Sequence, residues 1–187
     1  MIIDAPDLAA RFRDVLCDQI IQMTRLFYEA SGTPDRRGFS FADDNSAVLN
    51  YDMYAFFGQP ILRQVFETFA PGPQDTRYQH SDSAMGHIMP LLNEVGLNGA
   101  NFGPEIPVQD IRRDIPKAVI HGQLRPWTFA RGTDDEVAAE VRRDIAAVGA
   151  DGGLVIATAG SINPGSLLSG LRAAMHVIQT EGRYYPL

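Results

Sequence analysis

His80 and Asp82 stand two residues apart at the end of a stretch that predicts a short β-strand, Thr76 to Ser81. A glycine-containing turn and an apolar helix of about Ala84 to Val95 follow. In an α/β protein the loops at the carboxyl ends of strands bind ligands, because the sheet holds them in place. An imidazole and a carboxylate at this spacing can transfer protons, share a metal ion or form a buried hydrogen-bonded pair. We predict catalytic roles for both residues, with a shared metal site as an alternative.

Polar residues also follow the other predicted strands, which is the layout of a barrel's catalytic face. Asp43 and Asp44 are candidate catalytic groups. The candidate substrate-binding residues are Asn45, Asn101, His121, Gln123 and Ser161. Two alternatives stay open. The run of residues 43–45 can instead satisfy backbone donors where a helix begins, and residues 121–123 can form a structural turn.

Two other features could bear on function. The loop Ala159–Gly165 resembles an anion-holding loop ahead of a helix N-terminus, but it lacks the spacing of either nucleotide-binding fingerprint. His87 lies near the predicted site or caps its helix. His176 falls in the last helix and is expected at the surface.

Strands and helices alternate along the chain after a long first helix, Asp4 to Ser31. The predicted strands are Gly38–Ala42, Thr76–Ser81, Gly99–Phe102, Lys117–His121 and Gly152–Ala157. The predicted helices that follow them are Tyr51–Phe69, Ala84–Val95, Val108–Arg113, Asp134–Val148 and Gly165–Glu181. This alternation predicts a parallel sheet with right-handed crossovers.

Apolar residues at helical spacing predict how the helices pack. In the first helix they are Leu8, Phe12, Val15, Leu16, Met23, Leu26 and Phe27, and Cys17 within this pattern is expected to be buried. In the last helix Leu168, Leu171, Met175 and Ile178 are expected to face the core. Gly58 and Pro60 are expected to break or kink the helix Tyr51–Phe69.

Composition restricts the class of protein. The 187 residues fit a single domain, residues 1–187, and 45% hydrophobic content predicts a packed core. A net charge of -7 and the lack of a basic run with aromatics argue against a nucleic-acid partner. The single cysteine excludes a disulfide within the chain, and it suggests a cytoplasmic protein. No apolar window approaches the roughly 18 residues of a membrane span.

The order of the loop motifs resembles the carboxyl-terminal half of the uroporphyrinogen decarboxylase superfamily. The matching pieces are Phe41-Ala42-Asp43-Asp44 before Leu49 and Tyr54–Pro60, His80-Ser81-Asp82 before Pro90-Leu91-Leu92, Gly122-Gln123-Leu124, and Gly160–Gly165 before Leu171-Arg172. The resemblance implies a (β/α)₈ barrel with its site at the strand carboxyl ends. The superfamily includes decarboxylases that act on a tetrapyrrole without a cofactor, and corrinoid-dependent methyltransferases that use zinc.

Neither family pattern is complete in this sequence. The zinc branch has a His-x-Cys pair and a second Cys in the last strand-helix loop. Here His80 keeps the His, Asp82 replaces the first Cys, and Gly160 falls near the second. A thiolate zinc site is therefore excluded, although His80 and Asp82 could hold a harder metal or a weakly held zinc. The decarboxylase branch has a Ser and a His where Asp44 and Gly160 stand, and its essential Asp belongs to the amino-terminal half, which has no counterpart here.

The fold expected from the resemblance is α/β, a partial TIM (β/α)₈ barrel of about five parallel strands with flanking helices. Eight strands need roughly 200 to 250 residues or more, so the chain is a fragment, a natural half-length product or one part of an assembly. An open sheet would expose an inner wall made of Phe39, Phe41, Tyr78, Val119 or Ile120, and Val155 or Ile156. Covering that apolar wall favours a homodimer. A flavodoxin-like open sheet remains a less favoured alternative.

The resemblance implies three functions. The first is a uroporphyrinogen decarboxylase-like lyase of porphyrin biosynthesis, which removes acetate carboxyls from a tetrapyrrole and needs no cofactor. It is incomplete on its own if the chain is one part of an assembly. The second is a methyltransferase that acts on a corrinoid-linked substrate with zinc or another divalent metal. The third is a half-barrel that binds a ligand without catalysis.

Overall fold

Five parallel strands form one sheet, and they lie side by side in the same order as in the chain. The computed structural model describes residues 2–150 and 152–182. The strands are β1 Phe39–Ala42, β2 Arg77–His80, β3 Gly99–Asn101, β4 Val119–His121 and β5 Leu154–Val155. This sequential order is that of part of a (β/α)₈ barrel, as predicted. A flavodoxin-like sheet has the order 2-1-3-4-5, so that alternative is wrong.

Seven α-helices connect and flank the strands in the described part of the chain. They are α1 Pro6–Ala30, α2 Tyr51–Phe69, α3 Met89–Glu94, α4 Val108–Asp114, α5 Pro126–Arg131, α6 Asp134–Val148 and α7 Leu168–Glu181. Short 3₁₀ turns cover Asn45–Val48 and Gly86–Ile88. The sequence predicted six of the helices but not α5. None of the helices described is both long and apolar enough to span a membrane.

The strand register assigns each residue to one of two faces, because paired residues of parallel strands point to the same side. Ser40 pairs with Tyr78, and Ala42 pairs with His80, so these four residues share the face that the helices leave open. Phe39 and Phe41 lie on the opposite face and pack against the main core. The predicted inner wall was therefore wrong for both phenylalanines, since Ser40 and Ala42 occupy it instead.

The main hydrophobic core lies between the sheet and the helices. Its fully buried residues include Tyr54, Phe66, Phe102 and Ile120. Ile120 is 0% exposed, whereas its neighbour Val119 points to the open face and is 38% exposed. At roughly 25 cal/mol per Å² of apolar surface, burial on the helix side supplies the main driving force for folding.

Helix α2 continues through Gly58 and Pro60, so of the predicted break or kink the break does not occur. Pro60 cannot donate to the carbonyl of Phe56, four residues earlier. The guanidinium of Arg13 donates to that carbonyl at 3.1 Å instead, so it does not lack a partner. Gly58 leaves room for the ring of Tyr54, which a Cβ at this position would meet at 2.5 Å. Tertiary contacts thus stabilise a helix that local propensity disfavours.

The outward faces of α1 and α7 differ most from the predicted packing. Helix α1 buries Ala9, Cys17, Ile21 and Tyr28 against α2 and β1, as expected for Cys17. Its larger apolar residues lie mostly in solvent. In α7 the prediction was wrong for Leu168, Leu171 and Met175, which are 69%, 37% and 50% exposed. It was correct for Ile178, which packs against a buried hydrophobic cluster. The small residues Gly170 and Ala174, with Val177, face α6 instead, because they allow the two helices to approach closely.

Candidate functional site

The candidate site lies at the carboxyl ends of the strands, on the open face of the sheet. His80 ends β2, Asn101 ends β3 and His121 ends β4. His80 and Asn101 are register partners, so their side chains lie on the same face. Asp44 also reaches this mouth, because one of its carboxylate oxygens accepts a hydrogen bond from the backbone N–H of Asp82 at 2.7 Å. The structure therefore brings together residues predicted from three separate loops.

The side chain of Asn101 fixes the orientation of His80. Its Nδ2 donates to the carbonyl of Thr158 at 3.2 Å and to the carbonyl of His121. The amide oxygen Oδ1 therefore faces His80, with Nδ1 of the imidazole at 2.7 Å. Since Oδ1 can only accept, Nδ1 carries the proton and Nε2 is the nitrogen free for chemistry. Asn101, predicted to bind substrate, is 5% exposed and positions His80.

His80 Nε2 points toward the carboxylate of Asp82. The distance from Nε2 to Asp82 Oδ1 is 3.3 Å, and both side chains are partly exposed. A neutral His80 with its proton on Nδ1 would present a lone pair to this carboxylate, which is repulsive. The arrangement is favourable when a proton or a cation lies between the two atoms. The pair is therefore suited to proton transfer or to cation binding.

Gly160 provides the space that Asp82 occupies. A Cβ at position 160 would lie 2.7 Å from Asp82 Oδ1, and the residue has φ +100°, which favours glycine. The loop after β5 thus crosses the strand ends to reach the loop after β2. The hydrogen bond from Asn101 to Thr158 holds this loop in place.

The two aspartates after β1 have different roles in the structure. Asp43 accepts a hydrogen bond from the backbone N–H of Ser46 at 3.0 Å, at the start of a 3₁₀ turn. This is the backbone-satisfying alternative that the sequence left open. Asp44 holds the Asp82 loop, as described above, and Asn45 is exposed beside it. Burial and then the nearby charge of Asp43 raise the pKa of Tyr54.

Tyr78 is a residue of the open face that sequence reasoning did not propose for the site. Its ring meets the ring of His121 edge-on, with centroids 5.2 Å apart. Burial raises the pKa of Tyr78 and lowers the pKa of His121, so both are favoured in their neutral forms. The alternation of side chains along β2 could have identified Tyr78, because residues two apart in a strand share a face.

Three further polar residues were considered in or near the site from the sequence. Gln123 is 2% exposed, and its amide donates to the carbonyls of Gly103 and Ile106, both at 3.0 Å. It anchors the loop after β3, so the structure does not support its predicted role in binding substrate. Ser161 is exposed in the loop after β5. His87 Nε2 lies 2.6 Å from the carbonyl of Leu49, and this contact holds two loops together.

The residues of this site do not supply the thiolate ligands of the zinc ion in the methyltransferase branch. Asp82 stands in place of one expected thiolate, and Gly160 has no side chain to offer. Within residues 2–150 and 152–182, no group of three His, Cys, Asp or Glu side chains is placed to hold a metal ion. His80 and Asp82 would supply two ligands, fewer than the three protein ligands of a catalytic zinc site.

Comparisons with known proteins agree on the fold and the family. The family model for uroporphyrinogen decarboxylase (URO-D) matches residues 1–180. A solved methyltransferase from Methanosarcina mazei has a similar fold, with a TM-score of 0.61 and 19% sequence identity over 76% of this chain and 42% of that one. The chain thus spans less than half the length of that methyltransferase. A comparison with curated proteins found no match. Because the family model covers nearly all of its residues, the chain belongs to the uroporphyrinogen decarboxylase (URO-D) family.

Proposed function

We propose that this chain carries part of the active site of a decarboxylase, in which His80 supplies the proton that replaces a departing CO₂. The observation that supports this role is the fixed orientation of the imidazole between Asn101 and Asp82. Nε2 is the only ring nitrogen left for exchange, and it faces the open side of the sheet. A general acid held in one orientation is what proton transfer to a bound substrate needs.

The proposed reaction removes the acetate carboxyl of a tetrapyrrole. The bond between the acetate methylene carbon and its carboxyl carbon breaks, and the electron pair stays on the methylene carbon as CO₂ leaves. That carbon then takes the proton from Nε2–H of His80. Asp82 accepts a hydrogen bond from Nε2–H while the ring is doubly protonated, so it holds the proton in place before transfer. The acid is then restored by a proton from water, which the exposed mouth admits.

Two neighbours of His80 contribute to the proposed site. Tyr78 and His121 line the open face below it, and their neutral forms can donate hydrogen bonds to substrate oxygens. The remainder of a barrel would have to supply the groups that bind the other carboxylates of a tetrapyrrole, since the mouth described here is rich in aspartate. The substrate assignment therefore rests on the family, and the proton-donor role rests on the geometry.

Methyl transfer assisted by a divalent cation is a second candidate. The 3.3 Å between His80 Nε2 and Asp82 Oδ1 favours it. Two ligands of a tetrahedral ion with bonds of about 2.1 Å lie about 3.4 Å apart, so the pair is spaced to share a cation. Further ligands would have to come from the substrate or from another part of the barrel. This candidate predicts copurified or tightly bound metal that depends on His80.

The decisive experiment compares two histidine variants in two assays. His80→Gln removes the proposed acid, and His176→Gln removes an exposed histidine of α7 as a matched control. Uroporphyrinogen decarboxylation is followed by product chromatography, and demethylation of methylcobalamin with a thiol is followed by absorbance. We expect decarboxylation by the wild type, a loss of about 10² to 10⁴-fold in His80→Gln, and no change in His176→Gln.

Other outcomes would lead to different conclusions. Equal decarboxylation by His80→Gln and wild type would contradict the proton-donor role. Metal bound in stoichiometric amount by the wild type but not by His80→Gln, together with demethylation, would favour methyl transfer. Stabilisation by uroporphyrinogen without turnover in any variant would leave ligand binding as the function of this chain.

A further inference from the structure

The pairing of β1 with β2 continues past the point where the two strands end. Within the sheet, each residue of β1 pairs with the residue 38 positions later in β2. Beyond the strands, the carboxylate of Asp44 accepts a hydrogen bond from the backbone N–H of Asp82, and the ring of His87 contacts the carbonyl of Leu49. Both contacts also join residues 38 positions apart, so the loops after β1 and β2 keep the register of the strands. We refer to these two contacts as the loop clamp.

Side chains form the loop clamp because the backbone of each loop is used locally. The loops fold into the 3₁₀ turns Asn45–Val48 and Gly86–Ile88, and a backbone hydrogen bond closes each turn on itself. The carboxylate of Asp44 lies 2.7 Å from its backbone donor, which is a short, charge-assisted hydrogen bond. The carbonyl of Leu49 can only accept, so Nε2 of His87, at 2.6 Å, carries the proton.

The loop clamp acts on the backbone of Asp82, whose carboxylate faces His80. The residue between them, Ser81, is fully buried, and its N–H donates to the carbonyl of Asn101 at 2.8 Å. The end of β2 is therefore fixed as far as Ser81. The side chain of Asp82 is 50% exposed, so its direction depends on how the backbone that carries it is held. Asp44 holds that backbone at the N–H of Asp82 itself.

We propose that Asp44 and His87 are positioning residues for proton transfer by His80, an inference that rests on the proposed function. They hold the loop after β2 so that the carboxylate of Asp82 stays opposite Nε2 of His80, 3.3 Å away. Asp44 acts as a hydrogen-bond acceptor and not as an acid or base, because the group that it binds is a backbone N–H. An amide oxygen can replace a carboxylate oxygen in that role, but it cannot replace a catalytic carboxylate.

NMR of the folded chain tests the loop clamp without any assay of turnover. In Asp44→Ala the amide proton of Asp82 should exchange with solvent at least about tenfold faster, because it has lost its acceptor. The ¹⁵N signal of His80 Nε2 should shift as the carboxylate moves away, while that of Nδ1, which donates to Asn101, should change less. Asp44→Asn should restore both properties. The matched control is Asp52→Ala, which removes an exposed carboxylate from the first turn of α2 and should change neither.

Turnover tests whether the loop clamp serves the reaction. Asp44→Ala should lower kcat of decarboxylation by about 10 to 10²-fold with little change in KM, because a displaced group slows proton transfer more than it weakens binding. Asp44→Asn should stay near the wild-type value. If Asp44 acts through Asp82, Asp44→Ala should cause little further loss in an Asp82→Ala background.

The second contact of the loop clamp is tested in the same assay. His87→Ala should lower kcat by about two- to tenfold, because it removes one hydrogen bond between the loops. His87→Gln should restore most of the loss, since its side-chain amide can donate to the carbonyl of Leu49. Circular dichroism melts show whether each variant remains folded.

Three results would overturn the inference. The first is an unchanged Nε2 signal of His80 in Asp44→Ala, which would mean that other contacts hold Asp82. The second is a loss of kcat in Asp44→Asn as large as in Asp44→Ala, which would make Asp44 a catalytic carboxylate. The third is a full additional loss from Asp44→Ala in the Asp82→Ala background. A wild type without decarboxylation, whose His80 signal still shifts in Asp44→Ala, would contradict the proposed function and support the loop clamp.

Discussion

The helix-covered face and the open face of the same sheet differ in both composition and exposure. On the covered face Phe41, Ala100 and Ile120 pack into the main core. On the open face His80, Asn101 and His121 follow one another across three strands. Because strand residues alternate between faces, a residue that stabilises the fold and a residue placed for chemistry are neighbours in sequence. Residues that stabilise the fold and residues placed for chemistry therefore differ in the face of the sheet to which they point, and not in their region of the chain.

The largest expected effect is a loss of stability on substitution of a residue of the covered face, compared with its neighbour on the open face. Ile120→Ala removes a fully buried side chain and should lower the free energy of unfolding by about 2 to 5 kcal/mol. Val119→Ala, at 38% exposure on the open face, should cost less than about 1 kcal/mol. Urea denaturation measures both. Equal losses would show that Val119 on the open face is packed against something in solution.

Two buried glutamines, Gln79 and Gln123, differ in whether their side-chain amides have hydrogen-bond partners. Gln79 is 0% exposed in the core side of β2, and its amide has no hydrogen-bond partner among the described residues. Gln123 is similarly buried, but its Nε2 donates to two backbone carbonyls. Gln79→Met should stabilise the fold by about 1 to 3 kcal/mol, because an unpaired amide is replaced by an apolar group.

Gln123→Met is the matched control for that substitution, and it should destabilise the fold, because both carbonyls lose the amide of Gln123 and that of Gly103 keeps only the backbone N–H of Ile106. Thermal melts of both variants give the comparison. A destabilising effect of Gln79→Met would indicate that an ordered water satisfies the amide of Gln79.

The alternation of strand residues between two faces explains which features of the fold the sequence could predict and which it could not. The five strands, the long helices and the capping box from Thr133 to Glu136 followed from local patterns, and all are present. The assignment of strand residues to faces did not follow, because short strands such as Phe39–Ala42 carry apolar residues on one face and small ones on the other. Which of the two faces is covered depends on contacts far away in sequence.

In the candidate site, too, local patterns predicted the positions of residues but not the contacts that they make with distant parts of the chain. The positions of His80, Asp44 and Asn101 at one mouth were predicted from strand ends. The role of Asn101 as the residue that orients His80 was not, since it depends on the carbonyls of His121 and Thr158. The exposure of apolar residues on the outward faces of α1 and α7 was also missed, because apolar spacing identifies a helix face but not what covers it.

The smallest expected effect concerns the pH dependence of the open face. Burial lowers the pKa of His121 below its ordinary value of 6.5. As the pH falls below about 6.5, the unfolded chain binds a proton at this residue before the folded chain does, so folding becomes less favourable. The stabilising contribution is complete above that value and is lost progressively as the pH falls toward the lowered pKa.

His121→Gln should therefore flatten the decline in melting temperature between pH 7.5 and about pH 5, while His176→Gln on the exposed face of α7 should follow the wild type. Melts in matched buffers at four or five pH values are sufficient to compare the three slopes. Because His121 is half-buried, the expected difference is small, and its sign is the informative quantity. If the melting temperature of His121→Gln falls as steeply as that of the wild type, carboxylates elsewhere cause the loss of stability at low pH. A shallower decline would place His121 in the less solvated interior of the open face, beside Tyr78, where a substrate would displace water from both rings.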